Sequence, residues 1–194
     1  NYPLLLSVSM IGALYAFHSS HGMLLSNISW RCVKTYLENT RSNYESTPLW
    51  LIQSMVLLTF LGIFSNDSSV TKSMKSRIMT MINLVKITKL NLPLENFENP
   101  PIESDHVYDY QDNPEILSQI RAQYSNPEQN RKNYEYFIKA QARIRTCHTI
   151  LLISNLFTSL VGLDCSLHSI NLKCGVPCYY EKLYLCENVT EWAE

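Results

Sequence analysis

Cys174 and Cys178 have three residues between them, a spacing that could start a zinc site. Zinc needs two further ligands, and no nearby His or Cys pair has tight spacing, so the two read as structural thiols. Asp105, Asp109 and Asp112 offer carboxylate oxygens suited to calcium, but the glycine and the closing glutamate of a calcium loop are missing. Asp164 with His168 has the residue types of an acid/base pair, without a nucleophile or oxyanion donor to serve. His18 and His21 could share a helix face, yet they fall where a turn between two helices is expected. His148, between Cys147 and Thr149, reads as a satisfied histidine in a core helix. Lys72, Lys75 and Lys86 could hold phosphate, although a basic helical face is ordinarily a solvated one. No glycine-rich phosphate loop, nucleophile elbow, HExxH or CxxC pair occurs. The chain is not read as an enzyme, and no catalytic, cofactor or metal site is assigned.

What must organise these residues is the stretch 47–66, TPLWLIQSMVLLTFLGIFSN. Nearly every residue from Leu49 to Phe64 is apolar, interrupted by Gln53, Ser54 and Thr59. A helix apolar around its circumference belongs in a core. Pro48 sits where helices accept proline, with Thr47 before it as the capping residue. Trp50 and Leu57, two turns apart on one face, are both expected to be buried. The run is shorter than the roughly 20 residues that cross a bilayer, carries Gln53 within it and has no closely flanking basic cluster. A second run, residues 150–163, is shorter still and holds Ser154, Asn155, Thr158 and Ser159.

The 194 residues suffice for one good-sized core. Sixteen Lys and Arg against 17 Asp and Glu give a net charge of -1, which does not suggest a nucleic-acid surface. Only five glycines occur, which favours helices over a turn-rich β fold. Six cysteines and three glycosylation sequons, at Asn27, Asn66 and Asn188, raise a secreted reading. Against it, Cys32 and Cys147 lie inside apolar helical patterns, Asn27 falls in a predicted helix, and six cysteines are too few for a disulfide scaffold. The cysteines are therefore read as reduced and intracellular. Asn1 is not an initiator and the helical pattern begins at once, so the chain reads as part of a longer protein. PLLLSVSMIGALYAF lacks a basic n-region and a small-residue cleavage site and is not read as a signal peptide.

Helical periodicity predicts a first helix over residues 3–17 with a stripe of Leu4, Val8, Ile11 and Tyr15. Ser7, Gly12, Ala13 and Ala16 would let another helix approach closely. A second helix, 22–39, carries Leu25, Ile28, Cys32 and Tyr36. Residues 40–46 read as a loop. After the central helix comes an antiparallel neighbour with a stripe of Val70, Met74, Ile78, Met81, Ile82 and Val85, capped by Asp67. Residues 91–113, broken by Pro93, Pro100 and Pro101, form a long irregular connection, and a short helix follows over 114–124. The longest helix starts at Asn126-Pro127-Glu128, with a stripe of Phe137, Ala140, Ile144, Cys147 and Leu151, and its second half enters the core beside the central helix. A last helix is expected over 179–192. The fold class is all-α, a multi-helix bundle around a buried central helix.

Four stretches, in order, resemble the fungal-specific transcription factor domain (middle homology region), in the variety carried by regulators with two-Cys two-His zinc fingers. PLLLSVSMIGALYA looks like its opening. PLWLIQSMVLLTFLGIF resembles its hallmark helix through Leu49, Trp50 and Gln53. NYEYFIKAQARIRTCHTILLISNLFTSL resembles its long helix, with Arg143 and Arg145 as the basic pair and Gln141 near a usual acidic position. VPCYYEKLYLCENVTEW resembles its ending through Pro177, Cys178, Leu183, Glu191 and Trp192, while Tyr184 replaces the usual tryptophan. GLDCSLHS lacks the prolines usual after the long helix, and residues 91–113 match no family pattern.

The resemblance implies one helical regulatory domain over 1–194, truncated on its C-terminal side and part of a larger helical region. It implies a nuclear regulator of RNA polymerase II transcription, with zinc confined to fingers elsewhere and DNA bound only through them. It implies protein partners in the transcription machinery or self-association, no membrane, and structural roles for the ten motif residues. The alternative readings are an all-α ligand- or protein-binding module outside transcription and, third, an enzyme or membrane protein.

Overall fold

The computed structural model describes residues 1–64, 68–101, 127–162 and 167–193. The helix expected over 114–124, the aspartates Asp67, Asp105, Asp109, Asp112 and Asp164, and Cys165 lie outside the described residues. Seven α-helices occur among the described residues: α1 (Tyr2–Tyr15), α2 (Ser19–Asn39), α3 (Leu49–Ile63), α4 (Ser68–Ile87), α5 (Pro127–Val161), α6 (Glu181–Leu185) and α7 (Val189–Ala193). Single 3-10 turns fill Tyr44–Ser46, Leu94–Asn96 and Ser169–Asn171, and no strand occurs among the described residues. The fold is all-α. The last helix expected over 179–192 is two short ones, because residues 186–188 leave the helical path before Asn188 caps α7.

The described residues form two compact units. One comprises Asn1–Asn91 with Thr146–Lys173, the other Leu92–Arg145 with Cys174–Glu194. The long helix α5 contributes its first half to the second unit and its second half to the first.

In the first unit α3 packs against α1, α2 and α4. Leu51, Ile52, Met55 and Leu58 are almost fully enclosed. Gln53 donates from Nε2 to Thr146 Oγ1 at 3.3 Å, which ties α3 to the second half of α5. The helix is not buried on every side. Trp50 and Leu57 are only half-buried, and Phe60 and Phe64 are exposed. Thr47 does not cap α3 either. Pro48 is the N-cap, and the Thr47 hydroxyl donates to the Tyr44 carbonyl at 2.7 Å. The stripe on α4 lies inward as periodicity requires: Met74, Ile78, Met81, Ile82 and Val85 are buried, while Val70 is half-buried and Lys72, Lys75 and Lys86 are exposed.

The first two helices turn a different face inward from the one their large residues suggest. On α1 the buried side chains are Pro3, Ser7 and Met10, while Val8 and Tyr15 are exposed. On α2 they are Gly22, Ser26, Ser29 and Val33, while Ile28 is exposed. Ser7 Oγ and Ser29 Oγ lie 2.8 Å apart and both donate to the Pro3 carbonyl, at 2.8 and 2.9 Å. A Cβ on Gly22 would come within 2.9 Å of Leu14 Cδ2, so any larger residue there would push the Leu14 side chain aside. Small side chains let the helix axes draw together, and hydroxyls satisfied within the interface cost little to bury.

The second half of α5 buries Cys147, Ile150, Ile153, Ser154 and Phe157, but Leu152 and Leu160 stand in solvent, so it is amphipathic rather than enclosed. Cys147 Sγ donates to the Leu90 carbonyl at 3.4 Å. The start of the 91–113 connection is regular: Asn91 accepts from Lys173 N at 2.9 Å and donates from Nδ2 to the Asn171 carbonyl at 2.9 Å.

Two contrasts test this packing. Leu58→Ala should cost about 2–5 kcal/mol through lost burial and a cavity, and Lys72→Ala less than about 0.5 kcal/mol. Ser29→Ala breaks satisfied hydrogen bonds and should cost about 1 kcal/mol. Ser54→Ala should be neutral or stabilising, since the enclosed Ser54 hydroxyl makes no hydrogen bond and alanine is the better helix former. Denaturant midpoints of the four variants check all of these.

Candidate functional site

The first unit carries an apolar groove at the C-terminal ends of α1 and α3. Ile11, Leu14 and Tyr15 form one wall and Phe60, Leu61 and Phe64 the other, around a volume of about 280 Å³. The Phe60 and Phe64 rings meet edge-on, centroids 5.1 Å apart. Gly62 sits between them in sequence, and a Cβ there would collide with the Met74 sulfur, so α4 packs directly on the α3 backbone. The groove arises because α3 reaches its end with Phe60 and Phe64 turned away from α4. The neighbouring helix, α1, buries Ser7 and Met10 and leaves Val8 and Tyr15 outside. Tyr2, Leu5 and Val8 continue the apolar surface along α1, which has no charged side chain.

His18 is the N-cap residue of α2 and stands in the expected turn, but His21 lies inside the first turn of the helix; their ring centroids are 5.7 Å apart. Arg77 of α4 lies over the Trp30 ring at 4.0 Å, and burial holds its pKa below the ordinary guanidinium value. Such a cation–π contact keeps an arginine docked without a carboxylate.

The second unit gathers several of the motif residues into one clamp. Gln141 Oε1 accepts the Cys178 backbone N–H at 2.8 Å. Arg145 stacks over the Tyr184 ring at 4.3 Å, donates from Nη2 to the Cys178 carbonyl at 3.4 Å, and has Nη1 3.6 Å from Glu181 Oε1. Tyr134 donates to the Cys186 carbonyl at 2.9 Å, and Trp192 packs on Tyr134 and Phe137. Glu191 accepts from Glu187 N at 2.8 Å and gives its own N–H to Asn188 Oδ1 at 2.9 Å, which fixes α7. Pro177 and Leu183 are half-buried. Arg143 stands apart from this clamp, over the Phe97 ring at 5.6 Å. Leu49, Trp50 and Gln53 belong to the first unit, where Trp50 meets Tyr36 edge-on at 5.4 Å.

The expected inward stripe of α5 is displaced here. Phe137, Ala140 and Ile144 are half-buried, and Asn130, Asn133 and Gln141 take the enclosed positions. Gln141 fits there because Cys178 presents its backbone N–H to it, and Asn133 Oδ1 accepts from Gln129 Nε2 at 3.2 Å. Tyr136, partly buried near Glu95 and Glu98, has its phenol pKa pushed up to about 12, first by burial and then by the Glu95 carboxylate.

Among the described residues no three His, Cys, Asp or Glu side chains are grouped to hold a metal, and Cys32, Cys178 and Cys186 are free thiols. His168 is exposed, and Asp164, with which it could pair, is outside the described residues. No described helix is long and apolar enough to cross a membrane. The groove residues escape a sequence search for reactive groups. Their one sequence signal is a first helix without charge, which cannot present a polar side to solvent.

No family model matches the chain. Over all 194 residues it is 61% identical to a Saccharomyces cerevisiae protein named probable transcription factor TDA9, covering 16% of that protein. Over the same length it is 54% identical to respiration factor 2 of the same yeast, covering 14% of it. The chain thus spans about a sixth or less of each of these relatives. No solved structure matches.

Two measurements follow. Gln141→Ala should speed amide exchange at Cys178, by roughly a factor of five if the hydrogen bond contributes about 1 kcal/mol. The folded state holds the Tyr136 phenol pKa above its unfolded value. Above about pH 10 an unfolded chain loses the phenolic proton while the folded one keeps it. Stability contributed below pH 10 is therefore lost as pH rises towards 12, and Tyr136→Phe should flatten that fall in denaturation midpoints.

Proposed function

We propose that this chain is the regulatory and interaction region of a nuclear zinc-finger transcription factor acting on RNA polymerase II transcription. On this reading it is one helical regulatory region whose DNA contacts are made by zinc fingers outside it. The observation that carries the reading is the 61% identity, over the whole chain, to a protein named probable transcription factor. The apolar groove and the absence of a reactive constellation among the described residues favour a surface that binds other proteins over one that does chemistry. The clamp around Gln141, Arg145, Cys178 and Trp192 supports a structural role for the motif residues within it, positioning the C-terminal segment on the first half of α5.

The test is tethering. Fused to an unrelated DNA-binding module in budding yeast, the 194-residue chain should change output from a reporter carrying that module's site, in either direction, relative to the module alone. Unchanged output with the fusion in the nucleus would overturn the reading in favour of an all-α binding module working outside transcription. Without the module, the chain should give no sequence-selective gel shift, because its net charge is -1 and it has no groove-reading motif. A salt-sensitive, sequence-selective shift by the chain alone would contradict the assignment of DNA contact to other regions.

A further inference from the structure

Helix α1 carries a second stripe beside the face that meets α2. Leu4, Val8, Ile11 and Tyr15 follow one another at steps of four, three and four residues, the 3.5-residue spacing with which one helix packs along another. None of the four is buried: Val8 and Tyr15 are exposed, and Leu4 and Ile11 are half-buried. At its C-terminal end this seam runs into the groove, where Ile11 and Tyr15 line one wall and Phe60 and Phe64 the other. Gly12, next to the seam, has nothing within 4 Å of where a Cβ would stand, so a second backbone can approach there.

Charge narrows what can cover this surface. Neither α1 nor α3 contains Asp, Glu, Lys or Arg, so neither wall offers a partner to a charged side chain. The matching occupant is an uncharged helix with large apolar residues at the same spacing, and α1 is itself such a helix. Area points the same way. At roughly 200 Å² for a whole aromatic side chain, the exposed parts of Tyr15, Phe60 and Phe64 amount to about 350 Å². Leu5, Val8 and the half-buried aliphatic residues bring the face to about 600 Å², the top of the range for the largest apolar patch on a monomer. Two copies face to face would bury about 1,200 Å², the lower bound for a specific, stable interface.

We propose that this chain forms a homodimer about a two-fold axis, with the α1 seam over residues 4–15 packed on the same seam of a second copy. The large residues of one α1 then lie against the Phe60 and Phe64 wall of the other. The contact is isologous, so each residue of the seam is used twice. An area at the lower bound gives a dimer in exchange with monomer, and dilute chain leaves Val8 open to reagents. The inference concerns assembly and goes beyond the transcriptional reading without resting on it.

The probe is the 194-residue chain itself, followed by sedimentation equilibrium. Its mass should rise from monomer towards dimer with concentration in the micromolar range. Val8→Glu with Tyr15→Glu sets like charges against each other across the axis and should weaken the dimer at least about tenfold. Both side chains are exposed in the single chain, so helicity by circular dichroism should be retained. Leu152→Glu, which puts a charge on an exposed leucine of α5, should leave the dimer unchanged. A Val8→Glu chain mixed with a Val8→Lys chain should pair with it in preference to itself. Thiol modification of Val8→Cys should slow as chain concentration rises.

A monomer throughout the micromolar range would overturn the proposal. So would a dimer that tolerates the Val8 and Tyr15 changes, or one weakened equally by Leu152→Glu. A monomer whose tethered reporter is lost with the Val8 and Tyr15 changes would overturn it too and assign the face to a different protein. A dimer without reporter activity upholds the proposal and removes the transcriptional reading alone.

Discussion

The contact on which the first unit depends is the one between α1 and α2, made through Ser7, Gly22, Ser26 and Ser29. Serine and glycine bring two helix axes close because they leave little side chain in the way. The Pro3 carbonyl then receives two hydroxyl donors, so the interface contains polar atoms without leaving them unsatisfied. Apart from Met10, and from Leu14 which lies against Gly22, the large residues of α1 are displaced to other faces. Some of them seal against α3, and the rest, including Val8 and Tyr15, stay in solvent. The apolar groove is a consequence of this choice of contact face.

The same constraint explains how much of the fold was legible in the sequence. Helices α3, α4 and α5 were readable because a long apolar run, a clean amphipathic stripe and an Asn-Pro-Glu start are strong signals. The inward faces of α1 and α2 were not readable. Periodicity weights large apolar residues and so selected Leu4, Val8, Ile11 and Tyr15 on α1, where the interface uses Ser7 and Met10. A stripe of serines at helical spacing carries no hydrophobic signal, yet serines whose hydroxyls bond within the interface can be buried. Trp50 and Leu57 were misplaced for a related reason. In a helix apolar all round, composition does not say which side meets solvent, and the neighbours decide.

The candidate sites divide in the same way. The motif residues near the C-terminus were identifiable by type and order, but their partners were not, because Gln141 with Cys178 and Arg145 with Tyr184 join residues far apart in sequence. Gln141, noted only as a departure from an acidic position, accepts a backbone N–H, a role that an amide oxygen fills without the cost of burying a charge. The groove was legible only as an anomaly, a charge-free first helix. Its second wall, Phe60 and Phe64, lay within the run that suggested complete burial.

The central claim is that α1 meets its neighbours through its small face and turns its large residues outward. Single cysteines at positions 8 and 10 read this directly, since the two residues lie on opposite sides of the helix: Val8 is 54% exposed and Met10 is 0%. Thiol labelling of Val8→Cys and Met10→Cys under native conditions, followed by peptide mass spectrometry to separate each site from the native cysteines, gives the two rates. The packing described here predicts rapid modification at position 8 and protection at position 10 until the chain is unfolded. Protection at 8 with rapid labelling at 10 would mean that the large-residue stripe faces the core, and the α1–α2 interface and the groove derived from it would both be wrong.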